Sequence, residues 1–221
     1  MNIIDNILSI IAPENCIVCG AEGYVMCYPC LIETESLPSV CYICLRATAD
    51  NKPCQKHATK SSPRHIWQLY SYTGSIKQLL WKYKFEQKRS ACVMMAKVID
   101  EQLPYFDKCL VTWVPTDSRR LRQRGFDHAK LLAIELAKKR NLTYCGMLKR
   151  NRHSMQHGLT REQRLQNING LYSADQRSNG QKILLVDDII TTGATISECS
   201  RQLYKAGASS VDVVSFARTP K

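Results

Sequence analysis

Short apolar segments alternate with amphipathic segments along most of the chain after residue 65. Four segments have the apolar content of strands: 66–72, 110–114, 183–186 and 211–216. Three have apolar residues at helical spacing: 75–103 with a charged break at 86–89, 127–140 and 195–205. Strands that alternate with helices in this order build parallel sheets. The pattern therefore predicts an α/β fold, a parallel twisted sheet with flanking helices.

The remaining segments do not fit this alternation. Residues 1–14 have the spacing of a short amphipathic helix that docks on the body, and residues 58–64 form a polar linker. Residues 149–170 are polar, basic and rich in glutamine, which predicts an irregular segment. We therefore expect two domains, a cysteine-rich module at 1–60 and an α/β domain at 61–221.

Composition and charge narrow the location and the partners. No apolar run approaches the roughly 20 residues of a membrane span, and the N-terminal segment lacks the basic lead of a signal peptide, so we expect a cytoplasmic protein. The 221 residues include 31 Lys and Arg against 19 Asp and Glu, a net charge of +12. Such an excess favours phosphate-bearing partners, although basic charge also serves solubility.

Seven of the eleven cysteines fall between residues 16 and 54. With one histidine they form four hooks, each with two residues between its ligands: Cys16 and Cys19, Cys27 and Cys30, Cys41 and Cys44, Cys54 and His57. Such a turn directs two ligands at one metal ion, and two hooks complete a tetrahedral site. The hooks therefore predict two structural zinc ions, which supply folding free energy to a segment with few large apolar side chains.

Pairing of neighbouring hooks gives one four-cysteine site and one site of three cysteines and a histidine. We favour this pairing because short loops close at a lower entropy cost, while interleaved pairing remains open. Disulfides would require an oxidising compartment, and a redox dithiol would require one hook beside a strand-helix unit. The other four cysteines are expected in the core: Cys92, Cys109, Cys145 and Cys199.

The most specific chemical motif spans residues 183–195, which read Ile-Leu-Leu-Val-Asp-Asp-Ile-Ile-Thr-Thr-Gly-Ala-Thr. Asp187 and Asp188 are expected to follow a buried strand, at the edge where open parallel sheets bind their ligands. The loop 191–195 offers amides and hydroxyls to a monophosphate, and Gly193 permits its tight turn. The Walker motif and the dinucleotide fingerprint are both absent from the sequence.

This motif resembles the phosphoribosyl pyrophosphate (PRPP) site of type I phosphoribosyltransferases. The resemblance implies that fold, with the aspartates on the ribose hydroxyls, the loop on the 5′-phosphate, and magnesium bound with PRPP. Residues 114–119 resemble the pyrophosphate loop of these enzymes, and 149–166 would be a mobile flap. The implied PRPP-binding residues are Asp187, Asp188, Thr191, Thr192, Gly193, Ala194, Thr195, Pro115, Thr116 and Arg119.

A second resemblance covers nearly the whole chain. The hooks, Tyr83-Lys84-Phe85, a Val-Pro pair, the segment 124–129 and the PRPP motif occur in the order of the competence-protein ComF family, also called the GntX family. Four residues of the polar loop also fit: Gln156, Leu159, Arg164 and Asn167. That family usually has Asn-Gln where this chain has Asp127 and His128. The resemblance implies natural transformation, in which the protein handles incoming single-stranded DNA alongside other DNA-uptake machinery.

Basic and aromatic residues alternate at 77–89, a mixture typical of surfaces that hold single-stranded nucleic acid. An amphipathic helix with core aromatics and a solvated basic face is the competing interpretation. Four arginines at 119–124 adjoin the segment that resembles the pyrophosphate loop, which favours phosphate contacts. The candidate DNA-binding residues are Lys77, Trp81, Lys82, Tyr83, Lys84, Arg120, Arg122 and Arg124.

Three functions follow from these features. We favour a competence protein with a phosphoribosyltransferase fold that handles single-stranded DNA and binds PRPP or a related ribose phosphate. The alternative is an active phosphoribosyltransferase that transfers phosphoribose to an unidentified nitrogen acceptor. A third function is a regulator that senses nucleotides at the PRPP site. The sequence assigns no catalytic residue.

Overall fold

A computed structural model describes residues 14–86, 88–106, 108–151 and 170–220 of the chain. Their main feature is a five-stranded parallel sheet with the strand order β1-β7-β6-β2-β3. Its strands are β1 (Ile66–Ser71), β2 (Leu110–Trp113), β3 (Thr143–Tyr144), β6 (Lys182–Ile190) and β7 (Ser210–Arg218). A small antiparallel pair is formed by β4 (Leu148–Arg150) and β5 (Tyr172–Ala174). The predicted parallel sheet is confirmed.

Helices connect the strands and cover the sheet. They are α1 (Tyr28–Ile32), α2 (Gly74–Phe85), α3 (Arg89–Gln102), α4 (Ser118–Arg124), α5 (His128–Lys139) and α6 (Ala194–Lys205). Capping aspartates set the starts of α4 and α5. The Asp117 carboxylate accepts a hydrogen bond from the Arg119 amide, and the Asp127 carboxylate accepts one from the Lys130 amide. No helix in the described part of the chain is long and apolar enough to cross a membrane.

Strand β6 shows how the sheet divides the core. Leu184 and Val186 point to one face, in the cluster that also holds buried residues of α2, α3 and α5. Ile183 and Leu185 point to the other face, in the cluster that holds residues of α6. Because both faces are covered, the strand can be almost continuously apolar, as its sequence is.

The cysteine-rich module shares these two clusters. Met26 and Leu31 are fully buried in the first cluster, together with Leu79 and Ile99 of the α/β body. Tyr42 belongs to the second cluster. The module also reaches the sheet edge through hydrogen bonds to β1, such as Leu37 N to Leu69 O at 2.7 Å. Its apolar residues are thus buried by the body.

The structure differs from the predicted elements in several places. The predicted strand 183–186 extends to Ile190, so Asp187 and Asp188 lie within β6 and do not follow it. The arginine-rich segment after Asp117 is helical, which its charge density concealed. Cys92, Cys109 and Cys199 are buried as expected, whereas Cys145 is half-buried. The predicted N-terminal helix at 1–14 falls outside the described residues except for Glu14.

Candidate functional site

Two groups of four ligand atoms lie in the N-terminal module. One consists of Cys16, Cys19, Cys27 and Cys30, and the other of Cys41, Cys44, Cys54 and His57. Within each group the atoms lie within 4.8 Å of one another. The Sγ atoms of Cys19 and Cys27 are 3.6 Å apart, and those of Cys44 and Cys54 are 3.7 Å apart. A tetrahedron of Zn–S bonds has edges of about 3.8 Å. Neighbouring hooks therefore come together, and both groups can hold a zinc ion.

Two of these sulfurs are already poised as thiolates. Burial raises the pKa of the Cys16 and Cys41 thiols, but backbone N–H groups aimed at the sulfurs outweigh it and bring each pKa to about 6. One such donor is the Cys27 amide, 3.3 Å from the Cys16 Sγ. Thiolate is the form that binds zinc, so the hook geometry favours the metal-binding form at Cys16 and Cys41.

Asp187 and Asp188 lie near the carboxyl end of β6, and a lysine from α2 reaches them. The Lys84 Nζ lies 2.7 Å from the Asp188 Oδ2, and both side chains are largely buried. Burial raises the pKa of the Asp188 carboxyl, but the Lys84 ammonium, with help from His128 and Arg124, outweighs burial and lowers it. Burial and the neighbouring Asp188 charge raise the pKa of Asp187 well above its usual range. The pair therefore shares its negative charge unequally.

The loop between β6 and α6 contains a left-handed turn at Gly193. Gly193 has φ 80°, a left-handed backbone that favours glycine, and it directly precedes the helix. The Thr192 hydroxyl oxygen accepts the Ala194 amide at 3.3 Å, while Thr191 is exposed. The loop leads into the N-terminus of α6, where backbone N–H groups and the helix dipole favour the binding of anions.

The segment after β2 starts beside β6, because the two strands are neighbours and Val114 N donates to Val186 O at 3.0 Å, next to Asp187. Asp127 holds it, since its carboxylate accepts both the Thr116 amide at 3.1 Å and the Thr116 hydroxyl at 3.0 Å. Pro115 and Thr116 are half-buried and Arg119 is exposed. The Asp at 127 thus supplies two acceptor oxygens.

The base of the polar loop is also near the site. The Arg150 Nε lies 3.5 Å from the Asp117 Oδ2. The Asn151 side-chain amide donates to Gly170 O at 2.9 Å, so the two described residues that flank 152–169 lie side by side. The flap expected at 149–166 falls mostly outside the described residues and stays a prediction. So do the family-typical residues Gln156, Leu159, Arg164 and Asn167.

The candidate DNA-binding residues separate into two groups. Lys77, Arg120 and Arg122 are exposed, as is half of Trp81, while Lys82 and Arg124 are half-buried. Tyr83 is fully buried and its hydroxyl donates to His128 O at 2.8 Å. Its ring lies in the core and is closed to a base, which corrects its assignment to DNA. Lys84 points at Asp188, so its contact is with the aspartate pair.

One sequence feature singles out Lys84, its place in the motif Tyr83-Lys84-Phe85. No sequence feature indicates that Asp127 anchors Thr116, because the two residues meet only through the chain reversal around α4. His128 was equally unassigned. It is 1% exposed, its Nε2 lies 3.2 Å from Lys84 O, and its Nδ1 has no hydrogen-bond partner among the described residues.

The buried His128 should make the fold acid-sensitive. Burial, together with the charges of Arg124 and Lys84, lowers the pKa of its imidazole to about 4, from about 6.5 in an unfolded chain. Between these values only the unfolded state takes up the proton, so the free energy of unfolding falls as pH decreases from 6.5 to 4, by up to about 3 kcal/mol. The free energy of unfolding of His128→Gln, measured with urea at pH 7 and at pH 4.5, should change less between these pH values than that of the parent. An equal change in both proteins would contradict the lowered pKa of His128.

Comparisons with known proteins agree with this architecture. A model of the phosphoribosyl transferase domain matches residues 121–221. The DNA utilization protein YhgH of Salmonella typhi is 26% identical over 207 residues, which cover 88% of this chain and 90% of that protein. Competence protein ComFC of Streptococcus pneumoniae is 27% identical over 150 residues, 68% of this chain and 66% of that protein. Competence protein F of Haemophilus influenzae is 28% identical over 159 residues, 66% of this chain and 69% of that protein. These similarities to competence and DNA utilization proteins, together with the phosphoribosyl transferase domain match, agree with the resemblance to the ComF family in the sequence motifs.

Proposed function

We propose that this protein binds PRPP or a related ribose phosphate, with magnesium, and handles incoming single-stranded DNA in the cytoplasm during natural transformation. The observation that carries the proposal is the aspartate pair of β6, flanked by an anion-binding loop on one side and by Lys84 on the other. The names of the relatives, DNA utilization and competence proteins, support the DNA part.

The charged and polar groups of the site suit a ribose phosphate. A carboxylate that is held ionised accepts hydrogen bonds from vicinal hydroxyls, which is the role proposed for Asp188. Its neighbour Asp187 would offer a second carboxyl group to the same hydroxyls. The amides and hydroxyls of 191–195 suit the 5′-phosphate. The loop after β2, held by Asp127, would receive the pyrophosphate, and Lys84 would add positive charge beside it. Carboxylate and phosphate oxygens are the ligands that magnesium prefers, so the donors present fit that ion.

A surface next to this site suits a nucleic acid strand. The Trp81 and Phe85 rings lie 5.8 Å apart and are 50% and 55% exposed. The Arg124 guanidinium lies 4.9 Å from the centre of the Phe85 ring. We call Trp81, Phe85 and Arg124 the aromatic surface. Exposed rings beside cations stack on bases while the cations hold phosphates.

The aspartate pair can be tested directly. Asp188→Asn should weaken the binding of PRPP with magnesium at least tenfold, about 1.4 kcal/mol, because the amide cannot replace the ionised acceptor that Lys84 maintains. Isothermal titration calorimetry at pH 7.5 measures the change. The matched control is Asp175→Asn. Asp175 caps the 3₁₀ turn (Gln176–Ser178) and is not one of the proposed binding residues, so this variant should bind PRPP normally. Unchanged affinity in Asp188→Asn would remove the site assignment.

The same preparation can separate the proposed function from the alternative. Release of pyrophosphate from PRPP, measured with single-stranded DNA and with a panel of nucleobases, would identify an active transferase. PRPP binding without release supports the binding function proposed here.

The aromatic surface predicts a preference for single strands. Trp81→Ala should weaken binding of a single-stranded oligonucleotide by about 1–3 kcal/mol if the ring stacks on a base, and should leave duplex binding little changed. Tyr105→Ala is the control, since Tyr105 is 90% exposed elsewhere on the surface. Fluorescence anisotropy at several salt concentrations gives both affinities and the salt slope. Equal loss in the two variants, or none in either, would place the DNA path elsewhere.

A further inference from the structure

Tyr42 joins a metal group to the loop that follows β6. It lies between the ligands Cys41 and Cys44 and is 1% exposed. Its hydroxyl lies 2.9 Å from the Ser197 Oγ in the first turn and a half of α6. Its carbonyl oxygen lies only 2.6 Å from the position that a Cβ would take at Gly193. One residue of the metal hook therefore contacts the loop and its helix with both backbone and side chain.

The metal group fixes where Tyr42 lies. Cys41 is fully buried, and its backbone is closed into a turn by Leu45 N donating to Cys41 O and Cys41 N donating to Arg46 O, each at 2.9 Å. The Cys41 Sγ lies 3.6 Å from the His57 Nδ1. Without a metal ion, nothing links the Cys41–Cys44 hook to the Cys54–His57 hook through their side-chain ligands, and the turn loses its fixed point. Movement of the turn would withdraw Tyr42 from Gly193.

The other metal group packs in a different part of the fold. Cys16 and Cys27 belong to the core cluster on the opposite face of the sheet, with α2 and α3. Tyr42 and Cys41 belong to the cluster that contains Ile190 and Ile196, the residues on either side of the loop. The two groups thus brace different parts of the fold.

We propose that the Cys41–His57 metal group positions the phosphate loop 191–195 through Tyr42, so that ribose-phosphate binding depends on the metal in this group. The inference rests on the proposed function for the identity of the ligand. The order of the loop itself does not depend on that identity. Tyr42 is a positioning residue, and loss of the metal ion from this group would leave the loop in a weaker binding state.

The test compares Tyr42→Leu with Tyr70→Leu in the full chain loaded with zinc. Tyr70 is also buried, at 5% exposed, but packs on Phe216 in the other cluster, so it controls for lost stability. Hydrogen exchange of the amides at 190–197 without ligand, zinc content, and calorimetry with ribose 5-phosphate are measured. We expect Tyr42→Leu to keep both metal ions, to exchange at least tenfold faster in the loop, and to bind ribose 5-phosphate at least tenfold more weakly. Tyr70→Leu should show neither change.

A metal-ligand variant completes the test. Cys44→Ser should lose one metal ion and show the same faster loop exchange as Tyr42→Leu. Unchanged loop exchange in Tyr42→Leu, or faster exchange with unchanged affinity, would overturn the inference. If the parent protein binds neither ribose 5-phosphate nor PRPP with magnesium, the proposed function fails, and the exchange rates alone still decide whether Tyr42 orders the loop.

Discussion

Gly193→Ala should abolish most of the affinity for ribose 5-phosphate, by a factor of about 100 or more. The new Cβ would lie 2.6 Å from the Tyr42 carbonyl oxygen and 2.9 Å from its Cδ2, and the backbone at φ 80° is strained for any residue with a Cβ. Strain of this kind costs about 1–3 kcal/mol, and the overlap requires the loop or the metal hook to move. Calorimetry and thermal unfolding measure the two effects.

Gly180→Ala is the matched control for this substitution. Gly180 also has a left-handed backbone, with φ 71°, but no described atom lies within 4 Å of its Cβ position. It should lose about 1 kcal/mol of stability from backbone strain and keep its ligand affinity. Equal affinity losses in both variants would show that the contact with Tyr42 is unimportant. A small loss in Gly193→Ala would show that the loop tolerates a different conformation.

Cys16→Ser should remove one of two zinc ions and lower the free energy of unfolding by at least about 4 kcal/mol. Metal binding to a closed cysteine site contributes its free energy to folding, and a serine oxygen cannot replace a thiolate whose pKa is about 6. Because Cys16, Met26 and Leu31 share a core with α2 and α3, the whole chain should unfold in one transition at lower denaturant. Elemental analysis and chemical denaturation measure both changes.

Cys145→Ser makes the same atomic change outside the metal groups. Cys145 is half-buried and belongs to neither group, so this variant should keep both metal ions and lose little stability. A Cys16→Ser protein that retains two ions would contradict the ligand assignment. A separate early transition that leaves the α/β body unchanged would show that the module folds independently of the shared core.

The apolar pattern of the sequence was sufficient to predict the parallel sheet, since the central strands β6 and β7 are buried along most of their length and are therefore rich in apolar residues. It underestimated the length of β6, because the polar residues Asp187 and Asp188 interrupt the apolar segment. Their backbone nevertheless continues the strand, and Asp187 pairs with Ser215 of β7. It missed the two-residue β3 and the three-residue β4 and β5, which are too short to show a period.

The metal ligands were predictable for a different reason. Each hook is a local turn of four residues, so its ligand geometry is set by sequence spacing alone, and short loops favour the union of neighbouring hooks. The turn at 191–195 was predictable on the same grounds, because a strand, a glycine turn and a helix start are contiguous in the chain. Local features of this kind need no knowledge of distant residues.

The sequence by itself therefore determined the sheet, the hooks and the loop, all of which depend on residues close together in the chain. Only the tertiary structure decided which side chains meet across it. It showed that Lys84, predicted to contact DNA, contacts Asp188, which lies 104 positions later in the chain. The Lys84 Nζ is 2.7 Å from the Asp188 Oδ2. It buried Tyr83 and set Tyr42 against Gly193. These contacts join residues that are far apart in the chain, and their position is fixed by the packing of helices and hooks on a shared core, which no local pattern encodes.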